Sequence, residues 1–246
     1  MNNKENPIRL YLYGGGLILA CLCGIWLQST GAIKELLKYE ADIRYLTVQH
    51  LWLVLLSGGL AVLFAVPLGV LISRPKFQRI SEGLMQFLNI GSTIPTLAIL
   101  ALSMSLLGIG TVPAIFGLFV ASLLPIARNT YVGIKEVPVH LKEAAVGIGM
   151  SPMQMLFKVE IPNALFVIFA GVRVAFSINV GTAPLAFLIG GGGLGELIFT
   201  GIDLNEMSMM LAGAITTSFL AIAIDMAIAC ITYFTIPKGV NPLRIH

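Results

Sequence analysis

Residues 136–162 read EVPVHLKEAAVGIGMSPMQMLFKVEIP. Pro138 permits a helix start, and the stretch from His140 to Val146 is short and amphipathic. Gly147 and Gly149 allow a sharp turn, because glycine accepts positive φ without a Cβ clash. Ser151 and Pro152 suit the N-cap and first position of a second helix, and Gln154 at the third completes a capping box. That helix carries Met153, Met155, Leu156 and Phe157, and Pro162 precedes a long apolar run. The pattern predicts two short helices across a tight bend, held against a membrane face and offering small and apolar side chains to one side. An ordinary amphipathic loop on the membrane surface fits the same residues.

The rest of the chain explains why a membrane is expected. Of 246 residues, 57% are hydrophobic and 11% charged, with a mean hydropathy of +0.92. Soluble domains carry about 25% charged residues. The surplus apolar surface must face lipid, so the chain is an integral membrane protein. A net charge of +3, scattered along the sequence, argues against nucleic acid as a partner. Cys21, Cys23 and Cys230 fall inside apolar runs and read as small packing residues rather than a metal site or a disulfide.

Six stretches, near 9–29, 49–73, 83–107, 112–131, 163–190 and 208–235, are long enough to cross roughly 30 Å of hydrocarbon at about 1.5 Å per residue. The third is interrupted at Pro95 and the fifth between Gly181 and Pro184. Broken backbone at membrane depth is tolerated where protein or a watery cavity covers it, so these breaks mark either helices that line a path or simple kinks. The first stretch follows Lys4 and Arg9. Its apolar run continues through Cys23, Ile25, Trp26 and Leu27, so it reads as a retained anchor rather than a cleaved signal.

Lys and Arg fix the expected orientation. With the N-terminus inside, the inner segments hold eleven: Lys4, Arg9, Arg74, Lys76, Arg79, Arg128, Lys135, Lys142, Lys158, Lys238 and Arg244. The outer segments hold three, Lys34, Lys38 and Arg44. Both termini are therefore expected in the cytoplasm. The outer segments also carry Glu35, Glu40, Asp42, Glu196, Asp203 and Glu206, an acidic surface suited to a soluble partner. Arg173 and Asp225 stand alone deep in the fifth and sixth spans, where charges are costly and usually paired. They are expected to form an interhelical pair, with a direct role in transport as the alternative.

Glu143-Ala144-Ala145, three residues, Gly149, nine residues, Val159, one residue and Ile161-Pro162 together resemble the EAA loop of bacterial ABC-importer permeases. Ile161 stands where that family usually has Leu. Further stretches, Ser92 to Thr96, Leu107 to Thr111, Leu124 to Tyr131 and Ile189 to Gly201, resemble the osmoprotectant branch, which handles glycine betaine, choline, carnitine and similar quaternary amines. Related permeases for methionine and other solutes share the scaffold. The similarity covers about 49–215.

That resemblance implies an all-α membrane protein with the type I importer fold: six transmembrane helices and a cytoplasmic coupling helix within 136–162. An N-terminal anchor and outer loop would occupy 1–48, and the permease core 49–246. Glu143 would make a polar contact with an ATP-binding subunit, Ala144 and Ala145 would permit close approach, Gly149 would form the bend, and Pro162 would close the motif. Expected partners are an ABC ATPase, a periplasmic or lipid-anchored binding protein, and a second permease copy or homologue in the lipid. ATP and Mg would reside on the ATPase. The location would be the bacterial inner membrane.

Other motifs carry less. Gly190 to Gly195 satisfy G-x-G-x-x-G, yet they follow a membrane span rather than a strand, and a flexible outer turn at the path mouth is the expectation. No G-x-x-x-x-G-K-[ST] occurs, so ATP must be handled elsewhere. His50 and His140 read as solvated interfacial histidines. Trp26 and Trp52, near span ends, fit aromatic belts rather than a cage for a quaternary amine, so recognition is expected in the binding protein. Thr93, Pro95, Asn179 and Thr182 are the expected path lining. The rivals are an ATP-independent secondary transporter or channel, which would more often carry inverted repeats and ion-coupling carboxylates, and a membrane scaffold with no transport role.

Overall fold

The computed structural model describes residue 34 and residues 37–240, and among these every regular element is helical. α1 is Glu40–Ile72, α2 Gln78–Gly91, α3 Thr96–Leu107, α4 Thr111–Lys135 and α5 Val139–Gly147. α6, Pro152–Met155, passes through a π segment, Leu156–Glu160, into α7, Ile161–Thr182. A 3-10 segment, Ala183–Ile189, leads to α8, Gly195–Asp203, and then α9, Met207–Thr235. Four helical stretches are long and apolar enough to cross a membrane, and a fifth if the bent pair α2–α3 counts as one span. The first expected span, near 9–29, lies outside the described residues, as do Cys21, Cys23 and Trp26.

α1 starts at Glu40, not near 49, and runs without a break through the expected boundary at 48/49. Hydropathy marks where a helix enters lipid, but not where it begins. Glu40 and Asp42 occupy the first turn, where carboxylates favour the helix dipole. Glu40 also pairs with Arg44 one turn on at 2.7 Å. The extension is held by Leu46, which is buried against Leu194 and Leu197 beside α8.

The third span is broken, not kinked. α2 and α3 meet at 97°. Pro95 has no N–H to continue the helix and biases Ile94 away from helical backbone. Ser92 and Thr93 turn their hydroxyls onto the carbonyls of Asn89 and Ile90, each at 2.7 Å. α3 then restarts with Pro95 at its N-cap.

α4 packs on α1, α7 and α3 and forms the centre of the bundle. Close approach requires small residues, since apolar surface gains little from leaving lipid. At Gly69 an added Cβ would lie 2.5 Å from the Thr130 Cβ and 2.8 Å from the Ala127 carbonyl oxygen. Successive apolar clusters fill the seam: Leu53, Leu100, Leu118 and Val180 at one level, Ala61, Ala65, Ile126 and Ala175 at the next. Ile134, Val137, Ala164 and Ile168 close the end beside α5.

Between the clusters runs a buried polar seam that hydropathy hides. Asn179 donates to Ser57 Oγ at 2.8 Å and to Ser122 Oγ at 2.9 Å, tying α7 to α1 and α4. His50 is fully buried, with Nε2 3.2 Å from the Val180 carbonyl. The expectation of a solvated interfacial His50 is therefore wrong; because α1 begins a full nine residues earlier than expected, position 50 lies inside the bundle. Cys230 is free and exposed on α9, so it does not pack in this chain's core as expected.

Candidate functional site: the bent loop after α4 and a cavity at the broken helix

The loop after α4 forms the bend its sequence predicts. At the end of α5, the Met150 N–H donates to the Ala145 carbonyl at 3.0 Å and the Gly149 N–H to the Val146 carbonyl at 2.9 Å. Gly149 has φ +79°. This hydrogen-bond pair is a Schellman motif, and its left-handed residue is the one best filled by glycine. Ser151 then caps α6: its Oγ accepts from the Gln154 N–H at 3.3 Å, while Gln154 Oε1 accepts from the Ser151 N–H at 2.9 Å.

The second short helix does not end before Pro162, as expected. It continues through the π segment into α7, giving one helical stretch of 38 residues, Pro152–Ile189. A proline inside an α-helix clashes with the carbonyl four residues back and leaves it without a donor. The wider turn accommodates that defect, with the Ile161 N–H reaching back to Leu156 and Asn163 Nδ2 donating to the Val159 carbonyl at 2.7 Å.

Two contacts seat the loop on the bundle. Lys142 Nζ donates to the Ile134 carbonyl at 3.3 Å, and Arg74, just beyond α1, pairs with Glu160 at 2.5 Å. Glu143, Ala144 and Gly149 are exposed, together with Val146, Ile148, Met153 and Phe157. Ala145 is only 2% exposed. Its small side chain lets α5 lie close to its own chain, so Ala145 does not stand at an open surface as expected, whereas Ala144 does.

The elbow of the broken helix opens on a cavity of about 490 Å³, whose lining includes Ser92, Thr96, Arg128, Asn129, Val174 and Ile178. Thr93 and Pro95 are exposed at the same elbow. Thr182 is half-buried and donates to the Ile178 carbonyl at 2.9 Å. Asn179, expected on the path, sits in the core instead, where its amide nitrogen donates to Ser57 and Ser122. Arg128, one of the charges counted on the inner side, lies within α4 and lines the cavity.

Arg173 and Asp225 meet across α7 and α9 as a two-pronged ion pair, Nε to Oδ1 and Nη2 to Oδ2. The pair remains partly exposed on the surface of this single chain. Along α7, Ala170, Arg173, Val174, Ser177, Ile178 and Gly181 form one exposed stripe, and its Val174 and Ile178 reach the cavity.

The glycine run from Gly190 to Gly195 is not the flexible turn expected. The Gly191 N–H donates to the Ala186 carbonyl, and the Gly110 N–H to the Ile189 carbonyl, both at 2.8 Å. Gln49 Oε1 accepts from the Gly193 N–H at 3.1 Å, and Gly191, Gly193 and Gly195 are buried. A 3-10 helix precedes the run, so the strand a dinucleotide site needs is missing. Among the described residues, no group of three His, Cys, Asp or Glu is placed to hold a metal.

Residues 65–241 match the family described as binding-protein-dependent transport system inner membrane component. The chain belongs to that family. It is a multi-pass membrane permease, and not itself an enzyme; ATP hydrolysis in this class belongs to a separate subunit. The ATP-independent transporter and the scaffold are thereby set aside. The permease is 47% identical to the osmoprotectant import permease protein OsmY of Salmonella typhimurium, covering 88% of this chain and 91% of that one. It is 43% identical to the glycine betaine/carnitine/choline transport system permease protein OpuCB of Bacillus subtilis, over 82% of this chain and 93% of that one. Among solved structures it resembles a chain of the MetNI methionine ABC transporter, captured in inward-facing conformations. That likeness has a TM-score of 0.66 at 26% identity and covers 78% of this permease and 97% of that chain. The architecture is that of type I ABC permeases.

Proposed function

We propose that this permease forms the translocation path of an ATP-driven importer for osmoprotectants: glycine betaine, choline, carnitine or related quaternary amines. The observation that carries the reading is the exposed, rigidly built loop of α5 and α6. Its Schellman turn, capping box and tethers hold Glu143 and Ala144 beside Val146, Ile148, Met153 and Phe157 on a surface this chain leaves uncovered. Such a surface suits an ABC ATPase, with Glu143 as the polar contact and Gly149 as the bend. Lys and Arg are concentrated on the same side, which makes that side cytoplasmic, with both termini there. ATP and Mg stay on the ATPase, and a binding protein delivers the solute from outside.

The path runs between two permease chains, identical or homologous. It passes the elbow at Thr93 and Pro95, the cavity of about 490 Å³ and the α7 stripe carrying Arg173. A charged pair facing lipid would be costly, whereas one facing a watery path or a second copy is tolerated. None of the described residues that line the cavity is aromatic, which suits a low-affinity conduit and leaves selection by cation–π contact to the binding protein. The substrate class rests on the names of the relatives. Reconstitution with the ATPase and binding protein in vesicles should give ATP-dependent uptake of labelled glycine betaine, carnitine or choline that methionine does not compete. Uptake competed by methionine and indifferent to all three amines would refute the substrate assignment.

A further inference from the structure

The Arg74–Glu160 pair joins residues 86 positions apart, at the point where the coupling loop enters the membrane bundle. Glu160 is the last residue of the π segment and is 5% exposed. Arg74 is held from its own side as well. Its Nε donates to the Val70 carbonyl at 3.3 Å and its Nη2 to Ser73 Oγ at 2.9 Å, while Ser73 Oγ donates to the Val70 carbonyl at 2.7 Å. The guanidinium is thus fixed to the last turn of α1 before it reaches the carboxylate. Beside it lies the apolar cluster of Ile134, Val137, Ala164 and Ile168, which Val66 and Val70 of α1 complete.

A π segment is a short, irregular stretch and commonly marks a functional site. Left alone, it would absorb a push applied to α5 and α6 before that push reached the membrane. The ion pair braces the end of that segment, where it enters α7, against the last turn of α1. We propose that Arg74 and Glu160 form a strut that makes the coupling loop, the base of α7 and the end of α1 move as one body, so that ATPase motion is delivered to two membrane helices instead of one. Both are positioning residues: they act through the helices they join and touch neither nucleotide nor solute. The strut rests on the reading of α5–α6 as the ATPase dock.

The test uses the complete importer, with the native cysteines replaced by alanine and spin labels at Lys76→Cys and Lys158→Cys, two exposed sites flanking the pair. Between nucleotide-free and vanadate-trapped states the label distance should change by less than about 2 Å, the scale of a packed-helix shift. A change near 5 Å, the scale of a full helical-turn displacement, would overturn the strut. Glu160→Gln removes the buried charge while keeping the shape. It should let the labels separate on trapping and lower solute transported per ATP hydrolysed about tenfold, with ATPase retention unchanged. Unchanged distance and unchanged transport per ATP in that variant would also overturn the strut. Should Glu160→Gln fail to assemble, the distance in the native pair decides alone. Failure of the unsubstituted chain to retain the ATPase would instead refute the docking reading.

Discussion

Among the described residues, two arginine–carboxylate pairs join segments far apart in the chain, and they differ in what surrounds them. Arg74–Glu160 sits where the loop meets the bundle, with side chains 24% and 6% exposed. Arg173–Asp225 lies within the spans, yet its side chains are 49% and 32% exposed in the single chain. The first is largely enclosed by this chain's own packing and by Ser73, with only part of the Arg74 side chain reaching solvent. The second is incomplete: charges at that depth need water or protein, and this chain supplies only part of either. One pair therefore belongs to the internal framework, the other to a surface that assembly covers or that solute passes.

Stability measurements should separate them most widely. Arg74→Ala leaves a nearly buried carboxylate without its partner, a change that costs roughly 3–5 kcal/mol where enclosure is complete. The expected loss lies toward the lower end, because part of the Arg74 side chain reaches solvent. It should appear as a clear fall in the melting midpoint of the purified chain in detergent. The exposed Glu40–Arg44 pair on α1 is the reference, and Arg44→Ala should leave the midpoint within error. Equal melting of the two variants would break the distinction between framework and surface pairs.

The Arg173–Asp225 pair should respond through transport. Either single reversal of charge is expected to reduce uptake by roughly tenfold, and the swapped double, Arg173→Asp with Asp225→Arg, to recover most of it, as coupled neighbours do. Losses that merely add in the double would mean that the two charges act separately on the solute. Such additivity would sharpen the comparison from a different side, by making Arg173 a contact of the path rather than half of a pair.

What was legible in the sequence follows the same division. Arg173 and Asp225 stood out because each is a lone charge in an apolar run. Arg74 and Glu160 did not, since both lie in polar segments where a charge needs no partner, and nothing local relates residues so far apart in sequence. The α5 turn was legible because its chemistry is local: Gly149, Ser151, Pro152 and Gln154 specify their own backbone. Pro95 likewise announced the break, though only the structure distinguishes 97° from a kink. Pro162 misled, because a π segment upstream lets a helix tolerate it. His50 and Asn179 were misplaced for a common reason. Period and hydropathy report how apolar a stretch is, but a buried polar seam depends on which neighbour supplies the partner, here Val180 for His50 and Ser57 with Ser122 for Asn179. The glycine run looked mobile for want of side chains, whereas its backbone groups are bonded to Gln49, Ala186 and Phe187.

The central claim is that the exposed loop of α5 and α6 receives the ATPase. Its most direct test is co-purification of the partner ATPase with the permease carrying Glu143→Lys together with Gly149→Val, in a chain whose melting midpoint is checked against the native protein. The first substitution reverses the exposed charge and the second places a β-branched residue at φ +79°, where the turn cannot form without strain. Loss of the ATPase from an otherwise folded permease is the expected result. Undiminished retention of the ATPase by that folded variant would contradict the account.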